Sequence, residues 1–362
     1  MPVLSTRSVL LSAAASLAFL PGHALAQEAA PPTRLAALSA PAGDAATSSV
    51  AADSDVIVVT ATKRAESIQD VPTAITAIGG SALVDQDIRS AAEITRLIPN
   101  ASAAQTESRT RPRWFIRGVG SNDPAANVVN PIGVYFDEVY VNSPFFQAFP
   151  IFDLERVEVL RGPQGTLWGK NTVGGAIHYI SQKPAFEQSG YVRAGVGNFG
   201  SVFGQGAFGG SVIPDKVAAR GSFFYERRGD NTNNKGTGDG GTGRFDDFAG
   251  RAQLLVTPAD DVRILLSGRV RSFDGTPISR IFEPAFPDTP AQKGASAPVD
   301  DYGNAPPAGR NNYASNVDGR SETKQRGANA TIEWTPGDYT ITSITAWDKG
   351  DNLSLFDGDW TA

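Results

Sequence analysis

The chain has 362 residues, a formal net charge of -6, no Cys and two His. Without Cys there is no disulfide framework, no thiolate chemistry and no zinc site built on Cys pairs; with His178 the one histidine outside the leader, His-based metal sites and Ser-His triads have almost no material. An enzyme is therefore not expected, and the acidic balance argues against nucleic acid as a partner.

The first 26 residues form a secretory leader: Arg7 supplies positive charge, Val9 to Leu20 an apolar run, and Ala24-Leu25-Ala26 a small-residue cleavage site before Gln27. That run is too short to span a bilayer, and no later apolar stretch approaches the ~20 residues a helix needs. A membrane fate is open only to a β-barrel. Residues 27–54 are rich in Ala, Pro and Ser and cannot bury enough surface to offset their ordering entropy, which predicts a flexible periplasmic linker.

Residues 55–64, DVIVVTATKR, are a β-branched run suited to pairing with a partner's sheet edge. The plain alternative is the first strand of a folded domain. Thr73 to Ile78 alternates as a strand, and Ser90-x-x-Glu93 is a capping box opening a short helix through Leu97, stopped by Pro99. Trp114 to Arg117 predicts another strand, and Val134 to Val141 a hairpin turning at Asp137-Glu138, although Gly suits a tight primed turn better than Glu138.

Leu154 to Ser181, LERVEVLRGPQGTLWGKNTVGGAIHYIS, joins an alternating strand to a glycine-punctuated turn and a second strand. Gly162-Pro163 forces a turn, and Gly174-Gly175 lets another backbone approach closely. It is not a phosphate-cradling loop, because Gly165 and Gly169 are separated by three residues and Lys170 is followed by Asn171. Together, residues 65–186 predict a small α+β domain.

From residue 187 the texture changes to amphipathic strands: Val217, Ala219, Gly221, Phe223 and Tyr225 alternate with Arg220, Ser222 and Glu226, and Val262 to Val270 alternates likewise with Arg263, Ser267, Arg269 and Arg271. About seven strands are predicted, near residues 190–198, 202–212, 217–227, 248–257, 262–273, 326–335 and 339–347. Connections at Pro214-Asp215, Pro258 to Asp260 and Pro336 to Asp338 are tight, whereas those at residues 229–244 and 274–323 are long and polar. Short turns on one side and long loops on the other fit an outer-membrane barrel, with the short Asn198 to Ser201 connection as an exception. The loop Asp230 to Gly243 hints at calcium, but Thr232 stands where such a loop wants Asp or Asn and the later Glu is absent, so no metal site is expected.

The Leu154 to Ser181 stretch, with the SIQDVP, ITRLIPN and FIRGVGS runs, resembles the plug domain of TonB-dependent outer-membrane receptors over nearly its whole length. The resemblance implies an α+β plug domain followed by the first strands of an antiparallel transmembrane β-barrel, about seven of an expected ~22. The sequence therefore reads as the N-terminal part of a longer receptor, with an incomplete barrel in residues 187–362 that leaves this piece inactive by itself. The linker is too short for the extra signalling domain of transducing relatives.

By the same resemblance, residues 55–64 are a TonB box, with Val56, Ile57, Val58, Val59, Thr60 and Ala61 contacting TonB. Implied partners are TonB, with ExbB and ExbD indirectly, outer-membrane lipid, and a small ligand such as a ferric siderophore. Iron enters only within a transported chelate, so no cofactor is expected. The implied ligand contacts are Arg109, Arg111, Arg113, Trp114, Phe145, Phe146 and Phe149, because guanidinium groups grip carboxylates or catecholates and aromatic rings cover flat faces. The alternative is that these arginines pair with barrel carboxylates and the phenylalanines are plug core. Arg117, Arg161 and Glu158 are expected in ion pairs between plug and barrel. Competing functions are a passive porin-like channel with a constriction domain and a surface adhesin.

Overall fold

The computed structural model describes residues 57–105, 108–123, 128–234, 241–277, 312–313 and 317–355; the predicted leader, linker and Val56 lie outside them. The chain opens with a two-stranded ribbon, β1 (Val58–Val59) antiparallel to β2 (Glu66–Ser67). Then follow β3 (Ile75–Gly79), α1 (Gly80–Asp85) and a 3-10 helix at Ala91–Leu97. The predicted capping box is present, with Glu93 Oε2 accepting the backbone N–H groups of Arg89 and Ser90 at 3.0 and 3.1 Å. The helix is nevertheless wound as 3-10, which suits so short a segment.

β4 (Ala101–Ala104), β5 (Arg113–Ile116) and β6 (Val119–Gly120) make a small antiparallel sheet. β7 (Ile132–Phe136), β8 (Val139–Tyr140), β9 (Leu154–Arg161), α2 (Gly165–Trp168) and β10 (Gly175–Ser181) complete the first module. Its main sheet has the order β3-β9-β10-β7-β8, antiparallel except for β10 beside β7. Gly175 shows why the glycine pair is needed: its φ is +150°, and a Cβ there would stand 2.4 Å from the Leu160 carbonyl oxygen.

The hairpin turn falls at Asp137 and Glu138, both left-handed at φ 47° and 67°. Neither is Gly, and side-chain bonds offset the cost. Asp137 accepts from the Ser181 N–H and hydroxyl, each at 2.8 Å, while Glu138 pairs with Lys63 at 3.0 Å. The core holds Trp114, Ile116, Val134, Phe136, Val157 and Ile177, and Phe224 and Ala249 of the following sheet join it.

That sheet is a seven-stranded antiparallel meander of β11 (Ser189–Gly197), β12 (Ser201–Ile213), β13 (Val217–Arg228), β15 (Phe245–Ala259), β16 (Val262–Gly275), β18 (Arg320–Trp334) and β19 (Ile341–Leu355). The two elements left out of this order, β14 (Asn233–Asn234) and β17 (Asn312–Tyr313), pair in parallel and join the two long loops. All seven predicted strands are found. Several run further than alternation indicates: β15 starts at Phe245, β18 at Arg320, and β19 continues to Leu355. Apart from Phe245, Leu353 and Leu355 the extra residues are Gly or polar on both faces, so they keep the ladder without showing a hydrophobic period.

Parity divides the wall cleanly. Arg220, Gln253, Ser267 and Asn329 lie in register and are buried against the first module. Residues an odd number of positions away, including Phe223, Leu266 and Val270, are exposed on the other face. One face is thus apolar and outward, the other polar and inward.

Candidate functional site

Three places on the first module carry function-relevant chemistry. At the end facing the short wall turns lies the box segment. Ile57 and Val58 are exposed there, whereas Val59 and Ala61 are buried against Leu160, Trp168 and Ala176. Glu158, fully buried on β9, accepts the Thr60 N–H at 2.8 Å and its hydroxyl at 3.2 Å, and Arg156 Nε donates to the same carboxylate oxygen at 2.8 Å. Trp168 Nε1 donates to the Ala61 carbonyl at 2.9 Å. A cavity of about 260 Å³ beside this segment is lined by Val58, Thr60, Glu138, Arg263 and Glu333. Arg263 and Glu333 sit next to the short turns, so residues 57–61 occupy that end of the wall.

His178 lies beneath the segment, its ring 3.7 Å from Trp168, whose face also carries the Lys63 ammonium at 3.5 Å. Burial first, and then Lys63, hold the imidazole down to about 3. It is neutral at physiological pH and serves as packing. Burial, with Tyr140 nearby, pushes the Tyr135 phenol up to about 12.

The predicted ligand residues divide into partly exposed ones, Arg109, Phe145 and Phe146, and buried ones, which include Arg111 and Arg113 at 6% exposure each. Arg109 lies 4.2 Å over the Phe245 ring and Arg111 5.0 Å over Phe145. Ser108 and Thr110 meet Ser321 and Thr323 at 3.0 and 3.1 Å, which places this loop at the long-loop end of the wall. Burial and then Arg228 lower the Arg109 pKa. Arg113 Nη1 donates to the Asn122 carbonyl at 2.5 Å. Phe145 and Phe146 are partly exposed nearby. Trp114 and Phe149 are corrected to core residues: both are buried in the main cluster and present no ligand-facing surface, because the strand and loop that carry them turn those rings inward.

The third place was invisible in the sequence. Asp153, in a left-handed turn at φ 50°, sits just before β9 and receives two wall arginines. Arg220 donates from Nε at 2.9 Å and Nη2 at 2.5 Å, and Arg251 Nη2 donates to the Asp153 carbonyl at 2.5 Å with its carboxylate at 3.4 Å. Arg271 reaches across to the Ala148 carbonyl at 2.6 Å while pairing with Asp247. The seam between module and wall thus runs through Asp153, and the expectation for Glu158 is corrected: its partners are Arg156 and the box, within the module. Arg117 is likewise corrected, standing exposed in a left-handed turn at φ 52°. Nothing in a lone Asp ahead of a strand marks it as a hub. Among the described residues no group of three or more His, Cys, Asp or Glu is placed to hold a metal.

The family model described as TonB-dependent Receptor Plug Domain matches residues 67–176. The chain carries a plug domain of the TonB-dependent receptors. The pesticin receptor of Yersinia pestis is 32% identical over 149 residues, 40% of this chain and 21% of that receptor. The vitamin B12 transporter BtuB of Vibrio vulnificus is 28% identical over 149 residues, 40% of this chain and 23% of that protein. The chain thus spans between a fifth and a quarter of the length of these relatives.

The crystal structure of the ferric yersiniabactin uptake receptor FyuA from Yersinia pestis superposes with a TM-score of 0.67 at 19% identity, covering 79% of this chain and 42% of that one. It shares the fold: a plug packed on the inner face of a partial barrel wall. The plug domain and these relatives place the protein in the outer membrane, with the outward apolar face of the wall toward lipid.

Proposed function

We propose that this chain serves TonB-dependent active uptake of a scarce ligand, a ferric siderophore, across the outer membrane. The observation that carries the reading is the placement of the box. Ile57 and Val58 are exposed at the short-turn end, which is periplasmic in such barrels, while Thr60 and Ala61 are tied to β9 and α2 of the plug. A partner strand that pairs with the exposed residues would pull on the central sheet of the plug. TonB fits that role, with ExbB and ExbD coupling it to the inner-membrane proton gradient.

The opposite, long-loop end carries Arg109, Phe145 and Phe146 partly exposed, with Arg111 and Arg113 buried beneath them, a cationic and aromatic region suited to an anionic chelate. The FyuA structure is named for uptake of a ferric chelate, which favours that ligand class over a vitamin.

The test is accumulation of a radiolabelled ferric siderophore by cells that express the gene from its own locus. Val58→Pro removes a strand donor and should abolish accumulation while cell-surface binding of the ligand survives. A protonophore should have the same effect. Accumulation that persists with the protonophore would instead indicate a passive porin-like channel, and binding without any accumulation an adhesin.

A further inference from the structure

Among the described residues, four arginines are buried on the inward face of the wall: Arg220 on β13, Arg251 on β15, and Arg269 and Arg271 on β16. Two of them take their counter-charge from the wall itself, Arg269 pairing with Asp348 at 2.5 Å and Arg271 with Asp247 at 2.8 Å. The other two do not. Arg220 and Arg251 share a single carboxylate, Asp153, which belongs to the plug. The carboxylates that act on Arg251 are Asp137 and Asp153, again both on the plug, and the one that acts on Arg220 is Asp153. β13 and β15 each have described strands on both sides, so the pair stands away from the free edges of the sheet.

The geometry around Asp153 is that of an anion site. Arg220 lies in register with Gln253, which makes Arg251 its diagonal neighbour on the next strand, roughly 7–8 Å away at the backbone. Arg220 offers Nε to one carboxylate oxygen at 2.9 Å and Nη2 to the other at 2.5 Å, a fork that matches a planar anion with two oxygens. Arg251 Nη2 reaches the same carboxylate at 3.4 Å, while its buried Nε and Nη1 have no hydrogen-bond partner. The pair therefore presents more donors than the plug carboxylate uses.

Uptake through the wall requires the plug to move. Displacement of the segment that carries Asp153 would leave Arg269 and Arg271 paired as before, but Arg220 and Arg251 as two neighbouring like charges with no wall carboxylate between them. An anion that fits the fork only in that state favours displacement by its differential affinity for the two states. Arg220 lies close to the start of β13 at Val217, near the short turns, so this place is distinct from the Arg109 region at the long-loop end.

We propose that Asp153 is the resting occupant of a carboxylate site on the wall, formed by Arg220 and Arg251, and that a carboxylate of the transported chelate replaces it during passage. The inference rests on the uptake reading above and narrows it to cargo with at least one carboxylate free of the metal. A chelate that binds iron through catecholates alone keeps those oxygens on the metal and has no such group to offer. The exchange also ties plug movement to cargo, because an empty barrel would have to separate Asp153 from both guanidiniums with nothing to replace it.

Two measurements on the receptor expressed from its own locus test this. In the purified receptor, Asp153→Gly removes the occupant while suiting the left-handed turn at that position. Excess sodium formate, compared with sodium chloride at equal ionic strength, should raise the unfolding temperature of this variant by ~2–4 °C and leave wild type unmoved. Adding Arg220→Gln to Asp153→Gly should abolish the response. No formate response in Asp153→Gly would overturn the proposal. In cells given radioiron equilibrated with spent medium of the same strain, Arg220→Gln with Arg251→Gln should accumulate at least tenfold less iron than Asp153→Asn at equal surface binding. Both changes break the contact between plug and wall, but only the first removes the fork. Equal accumulation by the two would reduce the arginines to a fastening for the plug and overturn the proposal. The formate response decides if the double variant does not reach the membrane, and accumulation decides if Asp153→Gly does not fold. Absence of accumulation by wild type would defeat the uptake reading instead, with the formate response still deciding whether the fork takes a carboxylate.

Discussion

Glu158 Oε1 accepts the backbone N–H of Thr60 at 2.8 Å across 98 residues of sequence. A fully buried carboxylate on a central plug strand thus holds the segment proposed to meet a periplasmic partner. The same oxygen takes Arg156 Nε at 2.8 Å, so the box is fastened to an ion pair already inside the sheet. Glu158→Ala would take one of two carboxylate partners from Arg156, Glu155 being the other, and leave the Thr60 N–H without its acceptor, at a cost of about 1–3 kcal/mol. Hydrogen exchange should show the Thr60 amide losing protection, while amides of β7 and β10 keep more of theirs. Unchanged protection at Thr60 would contradict the assignment.

Asp153 is the corresponding fastening on the wall side. Asp153→Asn should weaken the grip of both Arg220 and Arg251, whose side chains are 7% and 1% exposed. A double-mutant cycle with Arg220→Gln, read by thermal unfolding, should give a coupling of about 1–3 kcal/mol. Additive effects of the two substitutions would mean that the pair does not join plug to wall.

At Gly175 the backbone itself is the constraint. With φ at +150° and a Cβ position 2.4 Å from the Leu160 carbonyl oxygen, Gly175→Ala combines backbone strain with a clash against a neighbouring strand. The strained conformation alone costs about 1–3 kcal/mol. Urea unfolding should show at least that loss. Gly268→Ala, placed in open space, should differ little from wild type.

His178 gives the plug a pH dependence of definite sign. Its folded pKa, near 3, lies below the ordinary imidazole value of 6.5, so the unfolded chain binds the proton more readily. The contribution is intact above pH 6.5 and declines as pH falls toward 3, by at most ~1.4 kcal/mol per pH unit. In unfolding measurements between pH 7 and pH 4, His178→Gln should show a flatter pH profile than wild type. Parallel profiles would remove His178 as a source.

Much of this was legible in the sequence, for local reasons. The capping box, the Asp137-Glu138 turn and the glycine pair are set by neighbouring residues, and the seven wall strands by strict alternation. Polar strand ends escaped notice because alternation is read from apolar residues, and Asp246 opposite Asp274 displays none. The candidate site was harder to see. Arg109 and Arg111 are chosen by residue type, and so are Trp114 and Phe149, which the fold consumes as core. Asp153 and the role of Glu158 depend on partners about 70 and 100 residues away, and no local pattern encodes such distances.

The in-register wall also constrains how the gene can change length. In β15, Arg251 and Gln253 face the plug while Leu254 faces lipid, and that parity holds on the paired strands to either side. A single codon inserted between Ala249 and Arg251 would reverse every side chain beyond it up to the next turn, sending a guanidinium into hydrocarbon and a leucine into the seam. Single-residue insertions are therefore confined to the connections, and the two long ones on the extracellular side are where the protein can lengthen or shorten without disturbing the wall.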